Sequence, residues 1–521
     1  MSAAAASAET AASSRPTHPA LKSRLGKVFI PSLSDLFFIS LTAWLFIAGD
    51  GWKQLLLDGD TGWHIRVGDY ILTHHRVPTT DLFSFSKAGA PWFAWEWLTD
   101  IVYAGLFRIF GLKGVVLLAG LMIAGSFCVL LRHMLWRGAN TFVALLCTLL
   151  SIGAASIHFH ARPHVVTLLL LATALWILER DRAEPSWHVW LLAPLTILWT
   201  NLHGGFLALF ACLGLLVSGS AAEVWMSGVR RWIEPLRYGG VLAACCAASL
   251  VNPYGYQLHV HIAEYLRSDF IRDVVVEFQS PSFRSESMLQ FEILLFAGLV
   301  TAGFLAWRRR FVHALWILYF AHMSLGSVRH VPLYAVVVSP LIAVQISEWW
   351  AVWSLTSRRN SAVAILDQIS SDLRAGFSRT TFWVAAFVLT LVVVKAPLNW
   401  PADFPESKFP VGLVDRHAAL IQSSRVFTTD QWADYLIYRF YPRQRVFVDG
   451  RSDFYGPSLG REYLAAVQGE YRWKSILDKY RIDLVIAPSE WPLATLLQQS
   501  AEWRLLSDTG KQLLLERKSR F

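Results

Sequence analysis

Eleven apolar runs, each long enough or nearly long enough to cross a lipid bilayer, constrain this chain more than any other feature. They occupy 33–49, 114–131, 140–156, 164–178, 187–201, 205–222, 238–251, 289–307, 311–328, 332–349 and 382–396. A span needs about 20 residues, or somewhat fewer where flanking side chains snorkel to the surface. Composition agrees with that reading. Of 521 residues 54% are hydrophobic and only 16% charged, whereas a soluble domain carries roughly 25% charged residues. The chain lacks the polar groups to cover a water-facing surface, and its apolar content excludes disorder and collagen. It reads as an α-helical polytopic membrane protein.

Orientation follows from the basic tracts. Lys22/Arg24/Lys27, Arg132/Arg137, Arg180/Arg182, Arg230/Arg231/Arg237, Arg308–Arg310 and Arg358/Arg359/Arg374/Arg379 fall at every second connection. All lie in the cytoplasm at once if eleven spans run from an inside N-terminus to an outside C-terminus. The net charge of +9 is spent in these short tracts beside anionic lipid, with no basic, aromatic-interleaved stripe for nucleic acid. Many of the 24 Trp sit at run ends, among them Trp44, Trp199 and Trp349, where an amphipathic ring suits the interface. The five cysteines all lie inside apolar runs, without metal-binding spacing, and read as packing residues.

Three regions follow: a disordered cytoplasmic tail at 1–28, a membrane domain at 29–396 with a large first outer loop at 50–113, and a soluble domain at 397–521. The segment 98–110 is apolar but short and contains Asp100 and Arg108, so it reads as an amphipathic helix on the outer surface. In the last region strands are expected at 425–429, 445–450, 483–487, 503–506 and 512–516, alternating with helices at 431–439, about 459–480 and 492–499. That alternation suggests a small extracytoplasmic α/β domain.

The polar motifs then share one side of the membrane: DGDTGWHIRVGDY (58–70), ARPH (161–164), NLHGG (201–205), NPYGY (252–256), EFQSPSF (277–283) and RHVP (329–332). Asp58 and Asp60 are the first candidates. At a low-dielectric edge a carboxylate rises toward the pKa a general base needs, and a pair could hold Mg or Mn through oxygen. The plainer reading is that both cap a turn leaving the membrane. Trp63, His64, Arg66 and Glu96 are candidate substrate contacts. Arg162 with His164, and Arg329 with His330, suit a phosphate, since arginine offers a bidentate fork; lone arginines there would simply snorkel. Asn201, His203 and Tyr254 are further contacts, and Asp449 and Arg451 sit in DGRSDFY, a strand-end loop of the kind that binds ligands. The 252–288 stretch, long for a loop, is a candidate lid, and Glu277 a candidate acceptor contact. No P-loop, GxSxG, HExxH or GxGxxG occurs.

A first span, an acidic pair in a large outer loop, an amphipathic segment at 95–110 and many further spans together resemble the GT-C superfamily. These are membrane glycosyltransferases using polyprenyl-phosphate-linked sugars, such as the protein mannosyltransferases and lipid A aminoarabinose transferases. The full series of motifs, with VDGRSDFYG, is similar to uncharacterised bacterial membrane proteins usually placed beside them. The resemblance implies an inverting transferase of the bacterial inner membrane. Asp58 or Asp60 would be base or metal ligand, the donor a polyprenyl-phosphate sugar, and the acceptor a glycan, lipid or protein. The lysine-and-proline-rich stretch of many protein mannosyltransferase-like members is replaced by Ala90-Pro91-Trp92 and Trp95-Glu96-Trp97. The other readings are a flippase for lipid-linked saccharides, an O-antigen ligase or polymerase, and a non-catalytic assembly subunit. A transporter would carry its ionisable groups near mid-membrane, whereas here they sit at span ends.

Overall fold

The computed structural model describes residues 30–48, 51–228, 232–358, 360–377, 379–393 and 400–519, the side chains of 286 and 287 excepted. The expected tail at 1–28 and the domain boundary at 396/397 lie outside the described residues. Among the described residues five helices are long and apolar enough to cross a membrane: Leu112–Trp136, Thr141–His158, Gly204–Ser227, Met288–Trp307 and Val328–Thr356. Ala362–Phe377 and Phe382–Val393, bent by 64°, would make a sixth if they form one span, and Leu33–Ile47 and Phe311–Gly326 are shorter apolar helices. Length and composition therefore establish fewer spans than the eleven expected. The expected runs at 164–178, 187–201 and 238–251 are helical but fall short. His164–Ala183 ends on Glu179, Arg180, Asp181 and Arg182, and 187–201 divides into a 3-10 turn, Trp187–Leu191, and a helix, Leu192–Leu202.

The polar residues concentrate at the two ends of the helices. His164 opens one helix, and Glu179 lies fifteen residues further along it, about 22 Å away at 1.5 Å per residue. Around Glu179 the far end is closed by an ion pair to Arg137 (2.7 Å) and a hydrogen bond to His313 Nε2 (2.9 Å). The other end opens into the candidate site.

What reads as a first outer loop is largely helical. Asp60–His74 starts on a carboxylate, favourable at a helix N-terminus, and packs against Trp97–Phe110. That pair meets at Gly68, where a Cβ would stand 1.9 Å from the Asp100 carbonyl oxygen. Trp97–Phe110 is the amphipathic segment expected from the sequence: Thr99, Asp100, Tyr103 and Ala104 are buried while Val102, Ile109 and Phe110 are exposed. The expected lid at 252–288 is also structured, with helices Gln257–Arg267 and Asp269–Val274.

The last region carries a four-stranded sheet ordered β1-β2-β4-β3, with β1 Val426–Phe427, β2 Leu484–Pro488, β3 Trp503–Asp508 and β4 Gln512–Arg517. β1 pairs parallel with β2, which is antiparallel to β4, as β3 is. The expected strand at 445–450 does not form as one. Val446 instead makes single bridges to both Val426 and Ser84, because its backbone N–H and carbonyl bond Phe83 O (2.9 Å) and Phe85 N (3.0 Å) of the first loop. The helices expected over about 459–480 are Ser452–Val467 and Trp473–Lys479.

That bridge is reinforced by a buried ion pair. Arg451, 3% exposed, donates from Nη2 to Asp81 Oδ1 (2.7 Å) and Asp449 Oδ2 (2.6 Å) and from Nε to Asp449 Oδ1 (2.8 Å). Phe83, Trp92 and Phe454 surround its guanidinium. Arg451→Met keeps the packing but strands two buried carboxylates, and should cost about 3–5 kcal/mol. Denaturant unfolding in micelles measures the loss, and hydrogen exchange should rise first at 81–85 and 446–455.

Candidate active site

A cavity of about 500 Å³ opens where the helix ends, the first-loop helices and the α/β region meet. Its centre is Arg162, set in the short turn before His164–Ala183 and fixed by the Ala161 N–H on Leu55 O (2.7 Å) and the Thr61 hydroxyl on Ala161 O (2.8 Å). Nη1 of Arg162 meets Asp58 Oδ2 and Glu277 Oε1, both at 2.8 Å, and Nη2 meets Asp60 Oδ2 at 2.7 Å. Asp58 Oδ1 accepts the Asp60 N–H (3.0 Å), the turn-capping role that its position suggested. Glu277 is stitched toward Arg329 by the Ser327 hydroxyl on Glu277 O (2.9 Å) and Val328 N on Gln279 O (2.8 Å).

Asp60 lines the cavity, whereas Asp58 stands behind Arg162. Burial pushes the Asp60 carboxyl up to about 7, with Arg162 opposing and the charges of Asp58 and Glu277 adding to the rise. Its Oδ1 is buried without a hydrogen-bond partner, as is Asp434 Oδ2. Both flank Gly450, where a Cβ would stand 2.0 Å from Asp60 Oδ1 and 2.8 Å from Asp434 Oδ2. Burial raises Asp434 well above the carboxylate range, and the Asp60 charge raises it further.

A second polar chain runs through Glu96. His64 Nε2 and His203 Nε2 each lie 3.5 Å from its carboxyl, and His64 Nδ1 meets Asp100 Oδ1 at 2.6 Å. His203 Nδ1 accepts the Gly205 N–H (3.0 Å), so Nε2 carries the proton facing Glu96. Burial pushes Glu96 up to about 8 and His203 down to about 3; it also raises Asp100 and lowers His64. At neutral pH the carboxyl of Glu96 is therefore protonated and the imidazoles are neutral.

The two arginines expected to hold phosphate differ. Arg162 spends its fork on carboxylates. Arg329 lines the same cavity with a long 3.5 Å bond to Tyr265 Oη and its guanidinium over Phe278 at 4.4 Å, and among the described residues no carboxylate pairs with it. His164 donates from Nε2 to His158 O (2.6 Å) and His330 from Nδ1 to Met323 O (3.2 Å), and both line the cavity. Trp63, His64, Glu96, His203 and Arg451 line it too. The remaining expected contacts do not. Arg66 clasps Tyr438 O and Asp69, tying the first-loop helix to the α/β region. Asn201 bonds the Trp97 indole and Val251 O, Tyr254 bonds Ala94 N and Pro78 O, and Asp449 is held by Arg451. These four tie segments of the chain together and do not line the cavity. Sequence reasoning missed Trp92 and Trp95 on the cavity wall, Asp434 beside Asp60 at Gly450, and His261, which pairs with the wall residue Asp453 (3.0 Å); for Asp434 the signal was an aspartate on the apolar face of the 431–439 helix.

The acidic pair was also a candidate Mg or Mn site. The residues present do not fit it: the facing oxygens of Asp58 and Asp60 already hold a guanidinium. Among the described residues no three His, Cys, Asp or Glu side chains are grouped to share a metal ion.

No protein-family model matches the sequence, and no curated protein matches it. Solved structures do resemble it. The Archaeoglobus fulgidus oligosaccharyltransferase tethered to an acceptor peptide containing the NVT sequon aligns at TM-score 0.52 and 11% identity, over 93% of this chain and 74% of its own. AglB from the same organism, in complex with an inhibitory peptide and a dolichol-phosphate, aligns at 0.50 and 11% identity over the same shares. ArnT from Cupriavidus metallidurans, bound to undecaprenyl phosphate, aligns at 0.49 and 12% identity over 92% and 97%, a score too low to add weight. The GT-C resemblance implied by the motifs therefore holds at the level of fold, and fold alone names no substrate.

Two carboxyl protons should leave this cavity near neutrality, at about 7 and about 8, far above the usual value of about 4. Infrared titration of the carboxyl stretch should show both. Asp60→Asn removes the lower one, and Asp58→Asn moves it down, because one of the charges that raise it is gone. A carboxyl that titrates entirely below pH 5 would rule out this electrostatic picture.

Proposed function

We propose that this chain is an integral-membrane inverting glycosyltransferase that moves a sugar from a polyprenyl-phosphate donor to an extracytoplasmic acceptor. One observation carries the reading: a single cavity is lined by a carboxyl poised to titrate near neutrality, Asp60, and by a guanidinium that pairs with no carboxylate among the described residues, Arg329. The fold it shares with an oligosaccharyltransferase solved with a dolichol-phosphate supports a lipid-phosphate donor.

The chemistry follows from the placement. The donor tail lies between spans and its phosphate rests on Arg329, flanked by His330 and His164. Asp60 takes the proton of the acceptor hydroxyl, whose oxygen attacks the anomeric carbon from the side opposite the phosphate. The bond from that carbon to the phosphate oxygen breaks, and its electron pair leaves with the lipid phosphate toward Arg329. Trp63, Trp92 and Trp95 line the space between with flat apolar faces that suit a sugar ring and exclude water. Protonated Glu96 donates to a sugar hydroxyl. Acceptor glycan, lipid or protein comes past the 449–453 loop. The same reading puts the first loop and the α/β region outside the bacterial inner membrane, with the N-terminus inside and eleven spans between, because only that order keeps every basic tract in the cytoplasm.

Arg329→Ala should weaken donor binding by ~1.5–3 kcal/mol, the worth of a charge-assisted hydrogen bond, and Arg329→Lys should recover part of it. Binding of a labelled undecaprenyl-phosphate sugar to the purified protein measures both. Asp60→Asn should keep that affinity and lose on the order of 10²–10⁴ in turnover. Wild-type turnover should rise with pH through about 7, since Asp60 acts only once deprotonated. An Asp60→Asn variant with full transfer activity would exclude this mechanism.

A further inference from the structure

The cation at the centre of the acidic cluster belongs to the chain itself. Three carboxylates from two separate segments, Asp58 and Asp60 before and at the start of one helix and Glu277 in a distant loop, converge on Arg162 at 2.7–2.8 Å. Oxygen donors gathered from several segments around one point are how proteins hold a hard divalent ion. Here the point is occupied by a planar fork that stays protonated at any working pH. The oxygens left over are few: Asp58 Oδ1 is spent on the Asp60 N–H, and Asp60 Oδ1 faces Gly450 and Asp434 rather than Asp58 or Glu277. A divalent ion would have to displace the guanidinium or sit against its charge.

We propose that Arg162 is a built-in substitute for a divalent cation: it neutralises and orients the carboxylates, and the site binds no metal while it is present. The consequence for turnover rests on the transferase reading, in which Asp60 is the base; the binding behaviour does not. In that reading Arg162 is a positioning residue. Its fixed charge holds Asp60 Oδ2 in place at the cavity and makes transfer indifferent to chelators. Removing the guanidinium would leave three carboxylates facing one vacated space, a set that should then recruit a hard cation.

The test is manganese binding by the full-length protein in detergent, followed by electron paramagnetic resonance after chelator treatment. Wild type should leave Mn²⁺ free. Arg162→Gln should bind about one Mn²⁺ per chain, at least about tenfold more tightly than wild type, and should be thermally stabilised by it. Adding Asp58→Asn should remove the gain and so locate it. The proposal is overturned if wild type binds one Mn²⁺ that Asp58→Asn abolishes, or if folded Arg162→Gln gains none. Should Arg162→Gln fail to fold, the comparison of wild type with Asp58→Asn still decides. None of these readouts requires turnover, so loss of the transferase reading would not be mistaken for loss of this one.

Discussion

Three carboxylates cannot be taken out of water beside one another without a counter-charge, and Arg162 supplies it. The desolvation of an unpaired carboxylate costs several kcal/mol, so the cluster of Asp58, Asp60 and Glu277 exists only because the guanidinium reaches all three. That requirement organises the surrounding chain. The Arg162 turn is pinned to Leu55 and Thr61, which fixes the exit of the first apolar helix. The Glu277 loop is pinned beside Arg329, which fixes the only cavity cation among the described residues that we assign to phosphate. One ion-pair hub thus sets the distance between the base and the anion site.

The charge count explains why the cavity contains two kinds of carboxyl. Asp58 and Glu277 face the guanidinium directly, and its charge holds Glu277 below the ordinary range. Asp60 shares that guanidinium but is also buried against Asp434, so burial outweighs the attraction. Glu96 is buried beside neutral imidazoles, and that burial outweighs the pull of the Arg162 charge, so it keeps its proton. A base that loses its proton near neutrality and a carboxyl that keeps one are what environments of different polarity make of identical groups. The imidazoles contribute by staying neutral: a protonated His203 or His64 would pull Glu96 back to its ionised form.

Much of this was legible in the sequence, and the misses have physical causes. The α/β alternation after 400, the 492–499 helix and the amphipathic 98–110 segment follow from period and punctuation, which are local. The motif residues Asp60, His64, Glu96, His164, His203 and Arg329 do meet in one cavity, because ionisable groups at the ends of apolar helices are costly unless they share a polar space. Partnership was not legible. Nothing local to Arg162 says that its fork is spent on carboxylates while Arg329 remains open, and nothing local to Arg66 or Asn201 says that they face away. The Asp60–His74 helix was hidden by glycines at 62 and 68, which lower helix propensity but admit neighbouring elements: the Gly68 Cβ position lies almost on the Asp100 carbonyl. The failed strand at 445–450 was patterned correctly, yet its backbone partners came from the first loop rather than from its own sheet.

That exchange of backbone partners makes the α/β region part of the site rather than an appendage. Val446 bonds Phe83 and Phe85, Arg451 holds Asp81, and Arg66 reaches back to Tyr438. Between these ties lies Gly450, with no room for a Cβ against Asp60 and Asp434. Any displacement of the 449–453 loop would therefore open water to the buried oxygen of Asp60. Water there would remove the burial that raises this carboxyl, returning it toward an ordinary carboxylate, a weaker base at neutral pH. The basicity of Asp60 is in this way set by how closely the distant α/β region of the same chain packs against it.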